Sequence, residues 1–131
     1  MMINISKSVE DKEGISMITI RRGSTPNIIC HIPDEIDMSE ITNVWLYLTQ
    51  EEHGKNKVII DKIFPDMDLN LDEQTISVKL SQEETLALRL GVATIQIRLL
   101  MEDGDCLPSS EESVRVLNVY KEGVMENEQG D

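Results

Sequence analysis

The sequence predicts an all-β fold, an immunoglobulin-like antiparallel β-sandwich of about seven strands with one short helix between the fifth and sixth. Three observations predict it. Apolar and polar residues alternate with period two through TNVWLYLTQ, TISVKL and VATIQIRLLM, as they do in strands with one buried face. Turn signals at Gly23, Pro33, Gly54 and the Asp103-Gly104 pair separate these runs at short intervals, the spacing of a sandwich and not of strands alternating with long helices. Only SQEETLALRLG breaks the pattern. A chain of 131 residues is one domain by length, able to bury roughly two thirds of its unfolded surface.

Residues 1–14 read as a flexible N-terminal segment, 15–120 as the sandwich and 121–131 as a polar tail that frays. The first strand is ISMITIRRG, closed by Gly23 and the polar STP. The second, NIICHI, stops at Pro33, whose missing N–H cannot join a ladder. DEIDMSE is an acidic connection to the third strand, TNVWLYLTQ. There Val44, Leu46 and Leu48 share the core face, and Trp45 and Tyr47 share the other. EEHGKN is a turn with Gly54 as its positive-φ residue, and KVIIDKIF is the fourth strand. DMDLNLDE connects it to the fifth, TISVKL.

Ser81 and Glu84 then form a capping box, with Leu86 and Leu90 on one helical face and Gly91 as the C-terminal cap. A helix this short is unstable alone, so it must pack across one end of the sheets. The sixth strand, VATIQIRLLM, puts Ala93, Ile95, Ile97, Leu99 and Met101 on one face and Thr94, Gln96 and Arg98 on the other. EDGD turns the chain, and ESVRVLNVY is the last strand.

Composition excludes several functions. With 12 basic and 25 acidic side chains the net charge is −13, which repels nucleic acid phosphates and anionic membranes. The four aromatics, Trp45, Tyr47, Phe64 and Tyr120, make no stacking platform for single strands. No apolar run approaches the roughly 20 residues of a membrane span, and MMINISKSVEDKEG has no apolar signal core. The expected setting is therefore the cytoplasm, with no nucleic acid and no membrane as partner. Two cysteines far apart make no disulfide framework, so both are expected as free thiols. Cys30 and Trp45 echo an antibody domain, yet the sixth strand has neither the second cysteine nor the corner tyrosine.

Metal and catalytic sites are read as none. Asp66, Asp68, Asn70 and Asp72 take the first, third, fifth and seventh places of a calcium loop, but Leu71 stands where the turn needs glycine and Ser77 where a bidentate glutamate belongs. Cys30, His31, His53 and Cys106 lack zinc-site spacing. His31 and Cys30 are adjacent on a strand and point to opposite faces, so they cannot pair as base and thiolate. His31 reads as a buried or half-exposed structural residue and His53 as a solvated turn residue. LPSSEES lacks the GxSxG nucleophile pattern. No cofactor-binding residues are identified.

The candidate interface is Trp45, Tyr47, Gln96 and Arg98. The usual sandwich order sets the third and sixth strands side by side, and exposed aromatic rings beside an arginine have the composition of an interface hot spot. The competing reading is that the rings cover the sheet and hold their polar tips in water.

The order ITIRRGSTPNI, IDMSEITNVWLYLTQ, TISVKLSQEETLALRLGVATIQIRLLMEDGD and SVRVLNVYKEGV resembles a family of small phage and prophage-type proteins of Gram-positive bacteria. These are similar to the N-terminal immunoglobulin-like domain of the phage baseplate upper protein. The resemblance spans roughly residues 15 to 125. It rests on the RRG-type turn, the TISVxLSQEET strand-to-helix step and the RLxxxDG hairpin. It implies a non-enzymatic structural or adaptor module in a tail or baseplate, with other phage-type structural proteins or a second copy as partner and the virion as a destination. It carries over no catalytic residue. The alternatives are a small-ligand or metal-binding domain, or an enzyme whose site cannot be recognised in the sequence.

Overall fold

The computed structural model describes residues 4–7, 18–109 and 111–126. Among these residues lie the strands β1 (Asn4–Lys7), β2 (Ile18–Arg21), β3 (Asn27–His31), β4 (Ile41–Glu52), β5 (Lys55–Ile63), β6 (Asp68–Asn70), β7 (Thr75–Lys79), β8 (Gly91–Met101), β9 (Cys106–Pro108) and β10 (Glu112–Leu117). Helix α1 (Gln82–Leu86) stands between β7 and β8, and one 3-10 turn, Met38–Glu40, precedes β4. One sheet has the order β1-β3-β7-β6 and the other β2-β10-β8-β4-β5, with β9 also on β8. This is the two-sheet arrangement of an immunoglobulin-like sandwich, with β1 on one sheet and β2 on the other.

The core follows from the alternation. Val44, Leu46 and Leu48 of β4 and Ile95, Ile97 and Leu99 of β8 are fully buried, as are Ile28, Cys30, Ile76 and Val78 of the facing sheet. In the β4–β8 ladder Leu46 lies opposite Ile97 and Trp45 opposite Arg98. Directly opposed residues of an antiparallel pair share a face, so this register assigns inner and outer residues together. The β4–β5 turn is tighter than expected. Glu52 pairs with Lys55, and His53 and Gly54 both have positive φ, the requirement of a two-residue type I′ hairpin.

Several expectations are corrected. The sandwich is not antiparallel throughout, because β2 runs parallel to β10. Three short strands add to the seven expected. β1 falls in the segment read as an N-terminal extension and pairs with β3. β6 falls inside DMDLNLDE, where Leu69 packs against the core and lies opposite Ile76. β9 extends the edge of β8 beyond the reach of β10. Strands of three or four residues are too short to register a period. The remainder of 1–14, residues 15–17 of the first expected strand, and 127–131 of the tail lie outside the described residues.

The capping box forms as the sequence predicts. Glu84 N–H donates to Ser81 Oγ (3.1 Å) and Ser81 N–H to Glu84 Oε1 (2.8 Å). The helix is shorter than the pattern implied, however. It ends at Leu86, Leu90 is exposed, and Gly91 with φ +127 opens β8 and does not cap the helix. Thr85 and Leu88 are buried and Leu86 is half-buried, while Leu90 lies beyond the helix and shares no helical face with Leu86.

Side chains replace the missing helix length. The Arg22 guanidinium donates to Leu88 O (2.7 Å) and Leu86 O (2.9 Å) and pairs with Glu122 (2.7 Å). Thr85 Oγ1 accepts from Gly23 N–H (2.9 Å) and donates to Ser24 O (2.8 Å). The buried Gln50 amide grips Arg89 on both sides, donating to its carbonyl and accepting from its N–H, each at 2.8 Å. Gln82 holds the Met125 backbone in the same two-sided way.

Two outcomes follow from this packing. Leu46→Ala leaves a cavity between the sheets and should cost about 2–5 kcal/mol by chemical denaturation, with Trp45→Ala costing clearly less. The second concerns Glu84, which pairs with Lys62 at 2.9 Å. Burial pushes its carboxyl up, but hydrogen bonds from Lys62 and the Ser81 N–H outweigh burial and hold it below its ordinary 4.5. A depressed folded value means stability present above 4.5 and lost as the pH falls through the lower folded value. Glu84→Gln should therefore melt below wild type near neutrality and converge on it in acid. A gap independent of pH would contradict this.

Candidate functional site

The outer face of the β2-β10-β8-β4-β5 sheet carries all four candidate interface residues. Trp45 and Arg98 are opposed in the ladder, as are Tyr47 and Gln96. The Arg98 guanidinium carbon lies 4.8 Å from the centroid of the Trp45 ring, within cation–π range. Trp45 keeps 41% of its surface exposed. Its other neighbours in the ladder and along the strands are Ile63 of β5 and Leu100 of β8, 44% and 39% exposed. A shallow depression of about 90 Å³ lies here, lined by Asn43, Trp45, Arg98, Leu99, Leu100 and Cys106.

Tyr47 and Gln96 are engaged differently. The Tyr47 hydroxyl donates to Gln96 Oε1 (2.7 Å), and Gln96 Nε2 donates to Ser109 O (3.0 Å). Ser109 is buried, and its Oγ accepts from Ile97 N–H (2.9 Å). The polar ends of this row hold the break between β9 and β10 against β8. The structure thus brings the four residues together as two rows, one presented to solvent and one bound into its own sheet. Ser109 and Gln50 escape a sequence reading because a lone polar residue in an apolar strand or a serine run gives no periodic signal. Asp61 and Ile63 are not in the sequence reading of this face, although IIDKI alternates about the buried Ile60 and that signal could have found them.

The nucleophile and base candidates do not converge. Cys30 is fully buried, and burial pushes its thiol up to about 12, so it holds no thiolate near neutral pH. His31 is exposed, which corrects the expectation of a buried or half-exposed residue: the alternation that buries Cys30 turns its neighbour outward. His53 is exposed on the positive-φ turn. Cys30 and Cys106 are both free thiols, one buried and one exposed. Trp45 points away from the core that holds Cys30, unlike the tryptophan of an antibody domain.

Among the described residues no three His, Cys, Asp or Glu side chains converge as a metal site. Asn70 Oδ1 instead accepts from Glu73 N–H (3.0 Å), an asparagine bonding its own turn. A larger open groove of about 810 Å³ lies at the β3, β6 and β7 side, and its charged residues are Asp66, Asp68 and Lys79. No histidine or cysteine lines it. No described helix is long and apolar enough to cross a membrane.

No protein-family model matches the chain, and no curated protein matches it. Among solved structures it is similar to the fibronectin(III)-like modules of Clostridium thermocellum CbhA, at 14% identity over 88% of this chain and 96% of that chain, with a TM-score of 0.48. A likeness of that degree implies no function.

Ser109→Ala removes the acceptor of the Ile97 N–H. A buried donor left unpaired costs about 1–3 kcal/mol, and hydrogen exchange at Ile97 should accelerate when followed by NMR. Unchanged exchange there would show that Ser109 does not hold the strand break.

Proposed function

We propose that this domain is a non-enzymatic structural or adaptor module that acts through protein–protein contacts on its outer sheet face, in a tail or baseplate of phage or prophage type. The observation that carries the interaction reading is the Trp45–Arg98 pair. A large ring with a guanidinium stacked over it, left exposed beside Ile63 and Leu100, has the aromatic and arginine composition of residues that dominate interface energies. The core is complete without it. The separation of Cys30, His31 and His53, and the high thiol value of Cys30, favour a contact role over a hydrolytic or transfer reaction.

The phage setting is supported by the resemblance of the RRG turn, the TISVKLSQEET step and the RLLMEDGD hairpin to those of the baseplate-type proteins. In this chain the three motifs form the ends of the sandwich, through Arg22, Thr85 and the β8–β9 turn. The net charge of −13 disfavours nucleic acid and anionic membrane as partners.

Tail particles purified from the host strain give the test. The chain should co-purify with them in a fixed copy number by quantitative mass spectrometry, and gold-labelled antibody should decorate the tail. Particles that assemble and infect without it would overturn the phage role.

A further inference from the structure

We infer that the Trp45 face is self-complementary and that its partner is a second copy of this chain, docked face to face about a two-fold axis. This rests on reading the face as an interface and names what covers it. Asp61 of β5 lies opposite Tyr47, and Arg98 of β8 lies opposite Trp45. Opposite charges therefore stand at diagonal corners of the Trp45–Tyr47 pair, one on each side of the central strand. Two strand spacings of about 4.8 Å and one two-residue step of about 6.8 Å put their Cα atoms about 12 Å apart.

Neither charge meets an opposite charge among the described residues. Arg98 is engaged with the Trp45 ring, and Asp61 makes no ion pair among the described residues. In a two-fold contact residue i meets j and j meets i. An axis in the interface plane, perpendicular to the line from Arg98 to Asp61, lays each Arg98 on the Asp61 of the other copy and sets the two Trp45 rings side by side. A two-fold contact of this kind satisfies both signs with one pair of residues used twice.

Charge elsewhere agrees with this. The outward positions from Asn43 to Thr49 on β4, Val58 to Ile63 on β5 and Val92 to Leu100 on β8 carry one carboxylate, Asp61, and one cation, Arg98. In a chain of net charge −13 this patch is neutral, so the like-charge repulsion between copies lies away from it. The three strands β8, β4 and β5 that this axis superposes, about 4.8 Å apart and about nine residues of about 3.4 Å long, give a shared face on the order of 440 Å² at most. This is below the roughly 800 Å² per partner of a standard stable complex, so the association is a weak, reversible one.

Analytical ultracentrifugation of the full chain tests this with Arg98→Asp, Asp61→Arg, the double variant, and an equimolar mixture of the two single variants, each checked for folding by thermal melting. Wild type should be a dimer in reversible equilibrium with monomer. Each single reversal sets like charges against each other twice per dimer and should weaken association at least tenfold. The double variant should associate more tightly than either single variant yet fall short of wild type, because its guanidinium no longer stacks on the Trp45 ring. The mixture should also associate more tightly than either single variant, because one copy then carries a carboxylate at both positions and the other a guanidinium at both, so each contact joins opposite charges. A wild type that is monomeric or forms another oligomer, single variants that still dimerise, or a folded mixture that stays monomeric overturns the inference. In each of those cases tail localisation of the chain still decides the adaptor reading.

Discussion

The register between β4 and β8 is the constraint on which this molecule depends. Leu46 opposite Ile97 and Trp45 opposite Arg98 are consequences of one pairing. Side chains alternate with period two, so a slip by one residue would turn Trp45, Tyr47, Gln96 and Arg98 into the core and Leu46, Leu48 and Ile97 into water. The apolar transfer free energy of those inner residues, about 1.5–3 kcal/mol for each buried aliphatic side chain, therefore also fixes the composition of the outer face. Core and candidate interface are two sides of the same ladder.

The ends of the sandwich obey a different rule. Chain reversals leave backbone carbonyls and N–H groups that no ladder can pair, and burying them unpaired is costly. Arg22 satisfies the carbonyls of Leu86 and Leu88, Gln50 both backbone groups of Arg89, and Thr85 the N–H of Gly23 and the carbonyl of Ser24. Five helical residues can persist as α1 because these side chains supply what a longer helix would supply to itself. A guanidinium suits the place of Arg22 because its planar fork reaches two carbonyls and a carboxylate together, which an ammonium cannot.

Legibility in the sequence tracks the length over which a pattern acts. The inner faces of β4 and β8 are readable residue by residue, since a long run of alternating positions leaves one solution. The capping box is readable because Ser81 and Glu84 bond to each other across three residues. The end of the helix is not: Gln50, 39 residues away in sequence, grips Arg89 and draws Gly91 into β8, and no local propensity encodes that contact. The strands β6 and β9 are hidden for a related reason. Each is three residues long and exists because a neighbour, Thr75–Ser77 or Arg98–Leu100, offers a free edge.

The same distinction applies to the candidate site. Its membership follows from alternation and strand order, which set Trp45 beside Arg98 and Tyr47 beside Gln96. Its division into two rows does not, because it depends on Ser109, a buried serine whose hydroxyl and carbonyl anchor Ile97 and Gln96 at the strand break. The division matters for what the face can do. Tyr47 and Gln96 already pair their polar groups inside the molecule, so a partner gains little by contacting them and would lose fold stability by displacing them. Trp45 and Arg98 carry no such obligation to the core. Their ring and guanidinium are held in place by each other, which lowers the ordering entropy a partner would otherwise have to overcome. The presented row is thus both free of structural duty and pre-organised, and the row beside it keeps the sheet beneath rigid.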